Sequence, residues 1–308
     1  MTEHHPHPAG GTPSRPFGRL LTAMVSPFTR EGELDLDGAA RLATHLVDEQ
    51  GNDALVINGT TGESPTTTDA EKEHLVRTAV AAVGDRARVV AGIGTNDTRH
   101  TIELAIAAEK AGAHGLLLVT PYYNKPPQAG LLRHFTAVAD ATGLPVMLYD
   151  IPGRTGTPIA TETLVRAAEH DRVVAVKDAK GDLTATSWVT SRTDLAYYSG
   201  DDALTLPLLS VGAVGLVGTS THLTGVLAKQ MIEAYERGDV AAALALHRRL
   251  LPLFTGIFRT QGTILVKAAM AAAGLPAGPV RPPLVDATEA EVAQLRRDCA
   301  DAGLELPA

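Results

Sequence analysis

Eight short apolar runs, each followed by a longer stretch of mixed character, constrain this chain more than any other feature. The runs are LLTAMVSPF (20–28), ALVIN (54–58), RVVAGI (88–93), GLLLVTP (115–121), PVMLYD (145–150), VVAVKDA (173–179), LAYYSGD (195–201) and AVGLVGT (213–219). Most are apolar almost without a break. A strand with one face in water alternates apolar and polar residues; a strand covered on both faces does not. Between the runs, apolar residues recur at helical spacing, as in Leu42, Leu46 and Val47, or Leu131, Phe135, Val138 and Ala139. Glycines 51, 84, 112 and 143 stand at or just past the ends of such patterns, where helices commonly stop. Eight strand–helix units match a closed barrel of about 250 residues. An open doubly wound sheet would have fewer strands, and no G-x-G-x-x-G follows the first run. The expected class is α/β, a (β/α)8 TIM barrel with a C-terminal helical appendage.

The catalytic barrel is read over residues 19–239 and the helical region over 240–308. In the latter, VAAALALHRRLLPLFTGIF, GTILVKAAMAAAG and TEAEVAQLRRDCADAG are helical in pattern. The last opens with Thr288 and Glu291 at capping-box spacing. VRPPL (280–284) reads as a proline-marked link. Residues 1–18 are polar, rich in His, Pro and Gly, and read as a flexible tail without the apolar centre of a signal peptide. Its His4, His5 and His7 read as a structureless tract rather than a metal site. The formal charge of −8 and the lack of a Lys/Arg stripe argue against nucleic acid or anionic membrane as partners. No apolar run approaches the roughly 18 residues of a membrane span. One cysteine, Cys299, permits no internal disulfide and fits a reducing cytoplasm.

Active sites in this barrel gather at the C-terminal strand ends. The second run delivers NGTTGES, with Thr60 and Thr61 between glycines. The fourth delivers Tyr122 and Tyr123, the fifth Tyr149 and Arg154, the sixth Lys177, and the seventh SGDDA. A lysine at the end of VVAV either snorkels to water or is kept partly dry, and dryness would favour its neutral amine. A neutral amine can condense with a ketone to an iminium ion, which then acidifies the neighbouring carbon. Tyrosine hydroxyls can relay protons. Glycine-flanked threonines can offer N–H groups to a carboxylate, and an arginine can grip a second one. Asp201 and Asp202 read as structural rather than as a metal pair, and Lys180 as a solvent-facing residue. Glu63 is read as a network acid or a base, without an assigned role.

In this order along the chain, TAMVSPF, GTTGES, VTPYYNKPPQ, LYDIPGRTG, VKDAKG and SGDDAL resemble the pyruvate-dependent class I aldolases. These form the dihydrodipicolinate synthase and N-acetylneuraminate lyase superfamily, and the resemblance runs from about Leu20 to the last helix. The arginine of YDIPGRTG is similar to its synthase branch rather than the sialic acid lyases. The resemblance implies Lys177 as the Schiff-base lysine and Tyr149 as the residue that moves protons along the pathway. It implies Thr61 as the bridge of a tyrosine relay, with Thr60 beside it at the pyruvate carboxylate. Tyr123 matches a relay tyrosine inserted into a neighbouring subunit, and Arg154 the acceptor's carboxylate ligand. Gly200 and the backbone of Val217 match pocket-lining positions. The reaction implied is a lyase-class condensation of pyruvate with L-aspartate 4-semialdehyde to (2S,4S)-4-hydroxy-2,3,4,5-tetrahydrodipicolinate, the committed step towards diaminopimelate and lysine. It implies no cofactor and no metal, and a homotetramer built as a dimer of dimers.

Departures from the family pattern leave two rivals: an aldolase or dehydratase acting on a sugar acid, and a catalytically silent barrel serving as a sensor or assembly subunit. Asp150 stands where many members have asparagine, and is expected to orient its loop or compete for Arg154. Gly218 in GLVGTSTH is expected to alter the pocket, and Ser26 replaces a usual threonine. The family's lysine-feedback positions match Ser64, Pro65, Asp69, Lys72, Asn96, His100 and Tyr122. Lys72, Asp69 and His100 depart from the sensitive pattern, so weak feedback is expected.

Overall fold

All eight apolar runs form strands. The computed structural model describes residues 14–307; residues 1–13, with His4, His5 and His7, lie outside the described residues. The first four units are β1 (Leu20–Ala23) and α1 (Leu36–Asp48), β2 (Ala54–Ile57) and α2 (Asp69–Val83), β3 (Arg88–Gly92) and α3 (Thr98–Lys110), then β4 (Gly115–Val119) and α4 (Gln128–Asp140). β5 (Val146–Asp150) is followed by the short α5 (Pro152–Thr155) and by α6 (Thr161–Ala167). β6 (Val173–Asp178) leads to α7 (Leu183–Thr190), β7 (Ala196–Ser199) to α8 (Thr205–Leu209), and β8 (Gly215–Gly218) to α9 (Thr221–Glu236). Three further helices follow: α10 (Val240–Gly256), α11 (Gly262–Ala272) and α12 (Glu289–Asp301). The strands form a closed barrel in chain order, with β8 parallel to β1 through Leu21 opposite Val217. Closure removes sheet edges and buries both strand faces, which is why the runs carry so few polar residues.

Glycine ends two of the helices as expected: Gly51 and Gly112 have φ of 71° and 89°, where other residues are strained. Gly84 differs, since it caps α2 with a helical φ of −64°. Capping boxes open α12, at Thr288 and Glu291, and α2, at Thr68 and Glu71. The second follows the same T-x-x-E pattern in the sequence.

Side chains alternate between the barrel's interior and the helix layer. Leu21, Val56, Val90, Leu117, Met147, Ala175 and Val217 fill the interior, above a floor that includes Phe17. Residues 15–18, read as tail, are therefore part of the barrel: Phe17 is buried, and the Gly18 carbonyl accepts the Tyr198 hydroxyl at 3.0 Å. On the outside, α10 packs against α9, where Leu250 and Phe254 join Leu20 and Leu216 in one apolar cluster.

One irregularity brings two of the candidate site residues together. β5 pairs with β6 as Val146 opposite Val173, then shifts by a residue to Met147 opposite Ala175. Without the shift Tyr149 would face Val176, whose side chain points the other way. With it, Tyr149 sits opposite Lys177, and both follow interior residues at spacing two.

Candidate active site

The turn after β2 is fastened from behind. Ser26 Oγ donates to the Gly62 carbonyl at 2.7 Å, and Thr263 Oγ1, on α11, donates to the Thr61 carbonyl at 3.0 Å. The Gly62 and Glu63 N–H groups bond back to the carbonyls of Gly59 and Thr60. The N–H groups of Thr60 and Thr61 take no partner among the described residues. Glu63 adopts φ 56°, a left-handed conformation costing a non-glycine residue about 1 kcal/mol or more. It is held there by Lys267 Nζ at 2.6 Å and the Arg281 N–H at 2.8 Å, with Lys267 and Glu63 both buried. Lys267 and Arg281 also flank the Phe28 ring, each 4.1 Å from its centroid. The helical appendage thus reaches to the front of the barrel, a link that no local pattern in the sequence signals.

Lys177 is only 5 % exposed, and its Nζ lies 4.3 Å from the centroid of the Tyr149 ring. It forms no ion pair among the described residues. Burial lowers its pKa to about 8, against a smaller opposing pull from Asp202 and with some help from Arg154. Burial likewise pushes the Tyr149 hydroxyl well above its ordinary value, so it is protonated at neutral pH. Gly200 leaves room for the lysine: a Cβ there would lie 3.0 Å from Lys177 Cγ and 3.0 Å from the Asp178 carbonyl. Val217 is buried in the same interior layer as Tyr149.

Above Tyr149 opens a cavity of about 420 Å³, lined among others by Thr60, Tyr122, Tyr123, Tyr149 and Arg154. Lys177 is not among the residues that line it. Tyr123 is 89 % exposed, with φ 73°, at the rim. Arg154 is exposed on α5 and forms no ion pair among the described residues. The two threonines diverge. Thr60 lines the cavity with both tyrosines, whereas the Thr61 hydroxyl lies 3.3 Å from that of Thr219 and bonds to no tyrosine among the described residues.

Three readings change with this geometry, and a fourth, the structural role of Asp202, gains its partners. Asp150 does not compete for Arg154: it points outward from β5, is fully buried, accepts the Ile159 N–H at 3.1 Å, and lies 3.2 Å from Lys180 Nζ. Lys180 accordingly is not solvent-facing but largely buried in that pair. Gly218 does not widen the pocket, because Thr221 and Asp202 fill the space a Cβ would take. Asp202 is a brace for the turn after β8, accepting the Thr219 and Ser220 N–H groups and the Ser220 hydroxyl. His222, also buried, donates from Nδ1 to the Thr219 carbonyl and accepts the Val25 N–H at Nε2. Burial lowers its pKa to about 4, which fixes it as the neutral imidazole this pattern needs.

Residues 16–302 match the dihydrodipicolinate synthetase family. The chain belongs to that family. Among curated relatives of the dihydrodipicolinate synthetase family, it is 75 % identical over 288 residues to 4-hydroxy-tetrahydrodipicolinate synthase of Acidothermus cellulolyticus, covering 94 % of this chain and 93 % of that one. It is 66 % identical over 295 residues to 4-hydroxy-tetrahydrodipicolinate synthase 2 of Streptomyces coelicolor, covering 96 % and 98 %. Among solved members, the lysine-bound enzyme of Cyanidioschyzon merolae superposes with a TM-score of 0.92 at 44 % identity, covering 94 % of this chain and all of that one. No helix among the described residues is long and apolar enough to cross a membrane.

Proposed function

We propose that this chain condenses pyruvate with L-aspartate 4-semialdehyde to (2S,4S)-4-hydroxy-2,3,4,5-tetrahydrodipicolinate. The observation that carries the reading is the in-register pair of Lys177 and Tyr149, with a buried amine whose pKa is about 8. The amine adds to the pyruvate ketone and loses water, giving an iminium ion. The iminium withdraws electrons, the methyl carbon loses a proton, and the resulting enamine attacks the aldehyde carbon. The new alkoxide takes a proton. The acceptor's own amine then displaces the lysine as the ring closes, and the free enzyme returns.

Tyr149 is assigned the proton transfers beside Lys177. The N–H groups of Thr60 and Thr61 are assigned to the pyruvate carboxylate. The relay hydroxyl is assigned to Thr60, which faces the cavity with Tyr149 and Tyr123, rather than to Thr61, whose hydroxyl is engaged by Thr219. Arg154, without an acidic partner among the described residues, is assigned the carboxylate of the semialdehyde. That assignment separates this acceptor from a sugar acid's hydroxyl-rich tail, which calls for neutral partners. Gly200 and Val217 shape the floor. The exposed Tyr123 is assigned to a second copy's site in a homotetramer, residues 15–239 to the catalytic barrel and 240–308 to its helical support, and the enzyme to the cytoplasm.

The test couples purified protein, pyruvate and L-aspartate 4-semialdehyde to an excess of dihydrodipicolinate reductase and follows NADPH oxidation. Turnover requiring both substrates is the expected result. Folded protein that forms the pyruvate adduct yet gives no turnover would redirect the search to sugar-acid acceptors. Failure of borohydride to fix pyruvate on Lys177 would leave a silent barrel.

A further inference from the structure

The strand ends that point Tyr149 and Lys177 inward point Asp150 and Asp178 outward, opposite each other in register. Neither carboxylate touches the cavity, yet both are fully buried. Asp178 Oδ1 accepts the N–H groups of Lys180 and Gly181, both at 2.9 Å, and so turns the chain after β6. That turn sends the Lys180 side chain back towards β5. Its Nζ lies 3.2 Å from Asp150 Oδ2 and donates to the Ile159 carbonyl at 3.2 Å. Asp150 Oδ1 accepts the Ile159 N–H at 3.1 Å. Both backbone groups of one residue are thus gripped by the two members of one ion pair. On either side, Gln128 bonds the Pro158 carbonyl and the Ala160 N–H, both at 2.9 Å.

What this anchor closes is the loop from Ile151 to Pro158. Its other end is fixed, because it leaves β5 directly after Asp150. The loop carries α5 and therefore Arg154. With no ionic partner among the described residues, the arginine takes its position from the loop's backbone.

We infer that Lys180, acting with Asp150, is a positioning residue for Arg154: the pair closes the loop at Ile159 and so sets the enzyme's preference for an acceptor that carries a carboxylate. The inference rests on the proposed role of Arg154. It places no new group on the substrate. An ammonium held against a buried carboxylate is a costly device for holding a loop, since each charge loses its hydration, and the cost returns if either partner is removed alone. Hence the two residues act as a unit. Asp150→Asn leaves an ammonium without a counter-charge, and Lys180→Met leaves a buried carboxylate in the same state. The double variant leaves neither, and the amide oxygen that Asp150→Asn introduces can still accept the Ile159 N–H.

The experiment measures steady-state kinetics for Lys180→Met, Asp150→Asn, the double variant and Arg154→Gln, with borohydride trapping of pyruvate on each. Lys180→Met and Asp150→Asn are expected to raise the KM for the semialdehyde roughly tenfold, the scale of one misplaced charged contact. The KM for pyruvate and the trapping rate stay within about twofold, since Lys177 and the threonine turn are untouched. The double variant is expected to lose less than the product of the two single losses. Equal losses for both substrates, or strictly multiplicative losses, would reduce the pair to a general fold brace and overturn the inference. If Arg154→Gln raises the semialdehyde KM while Lys180→Met does not, the inference fails alone. If Arg154→Gln also leaves that KM unchanged, the role of Arg154 fails and takes this one with it. Should Lys180→Met not fold, Lys180→Arg keeps the charge but misplaces it, and must still split the two KM values.

Discussion

Raising the pH from about 6 to about 9 should convert Lys177 from about one per cent neutral amine to about nine-tenths, given a pKa of about 8. A lysine in water would reach only a few per cent at the upper end. The assay is the initial rate of pyruvate incorporation under borohydride, with the labelled residue located by peptide mapping. The rate should climb about tenfold per pH step at first and level off just above pH 8. A rate still climbing in proportion to hydroxide at pH 9 would mean an ordinary lysine, and would refute the claim that the barrel interior activates it. The same burial has a stability consequence of opposite use. The depression from 10.5 to about 8 corresponds to about 3 kcal/mol against the charged form. Between those two values the unfolded chain still holds the proton and the folded one does not, so folding stability rises with pH there. Lys177→Met removes the penalty, so the variant should be inactive yet more stable by up to about 3 kcal/mol at neutral pH, the gap closing as pH approaches 10.5. Denaturant midpoints of the two proteins at two pH values check the sign.

Lys267→Met should destabilise the fold by about 3–5 kcal/mol, because Glu63 stays buried without its cation, and Glu63→Gln combined with it should recover much of the loss; urea melts measure both. Gly200→Ala should leave the fold intact but slow pyruvate trapping at least about tenfold, since the added methyl meets Lys177 Cγ and a carbonyl; an unchanged rate would remove Gly200 from the site. Added lysine should inhibit weakly: Asp69 already bonds His100 at 2.8 Å, and the Lys72 ammonium, 3.9 Å from Asp69, opposes a second one. Half-inhibition well below the millimolar range in a lysine titration would overturn that.

The barrel was legible because fully buried parallel strands must be apolar on both faces, and nothing else in a chain of this composition produces eight such runs. The buried lysine was legible for the converse reason: in VVAVKDA a charge interrupts a run that has every cause to exclude one. Facing direction was not legible. The half-step between Val146 and Met147 that brings Tyr149 opposite Lys177 leaves no local trace. Asp150 looked like a neighbour of Arg154 because four positions separate them, yet β5 turns its side chain to the far side of the sheet. Lys180 looked like a surface residue because its partner lies on another strand. Thr263 and Lys267 sit in an apolar helix far along the chain, and only folding brings them to Thr61 and Glu63. Phe17 fell within a polar segment whose composition hid a single buried ring.

The hydroxyl of Thr263 and the carbonyl of Thr61 are 202 positions apart. At about 5–20 residues per second of synthesis, the first-made turn waits roughly 10–40 s for the helix that fastens it. Lys177 emerges well before that helix. During this interval the nascent chain carries the amine but not the fastened threonine turn, and the barrel cannot close until β8 reaches β1. Any product cut short before α11 leaves the ribosome with the lysine but without its braced threonine turn.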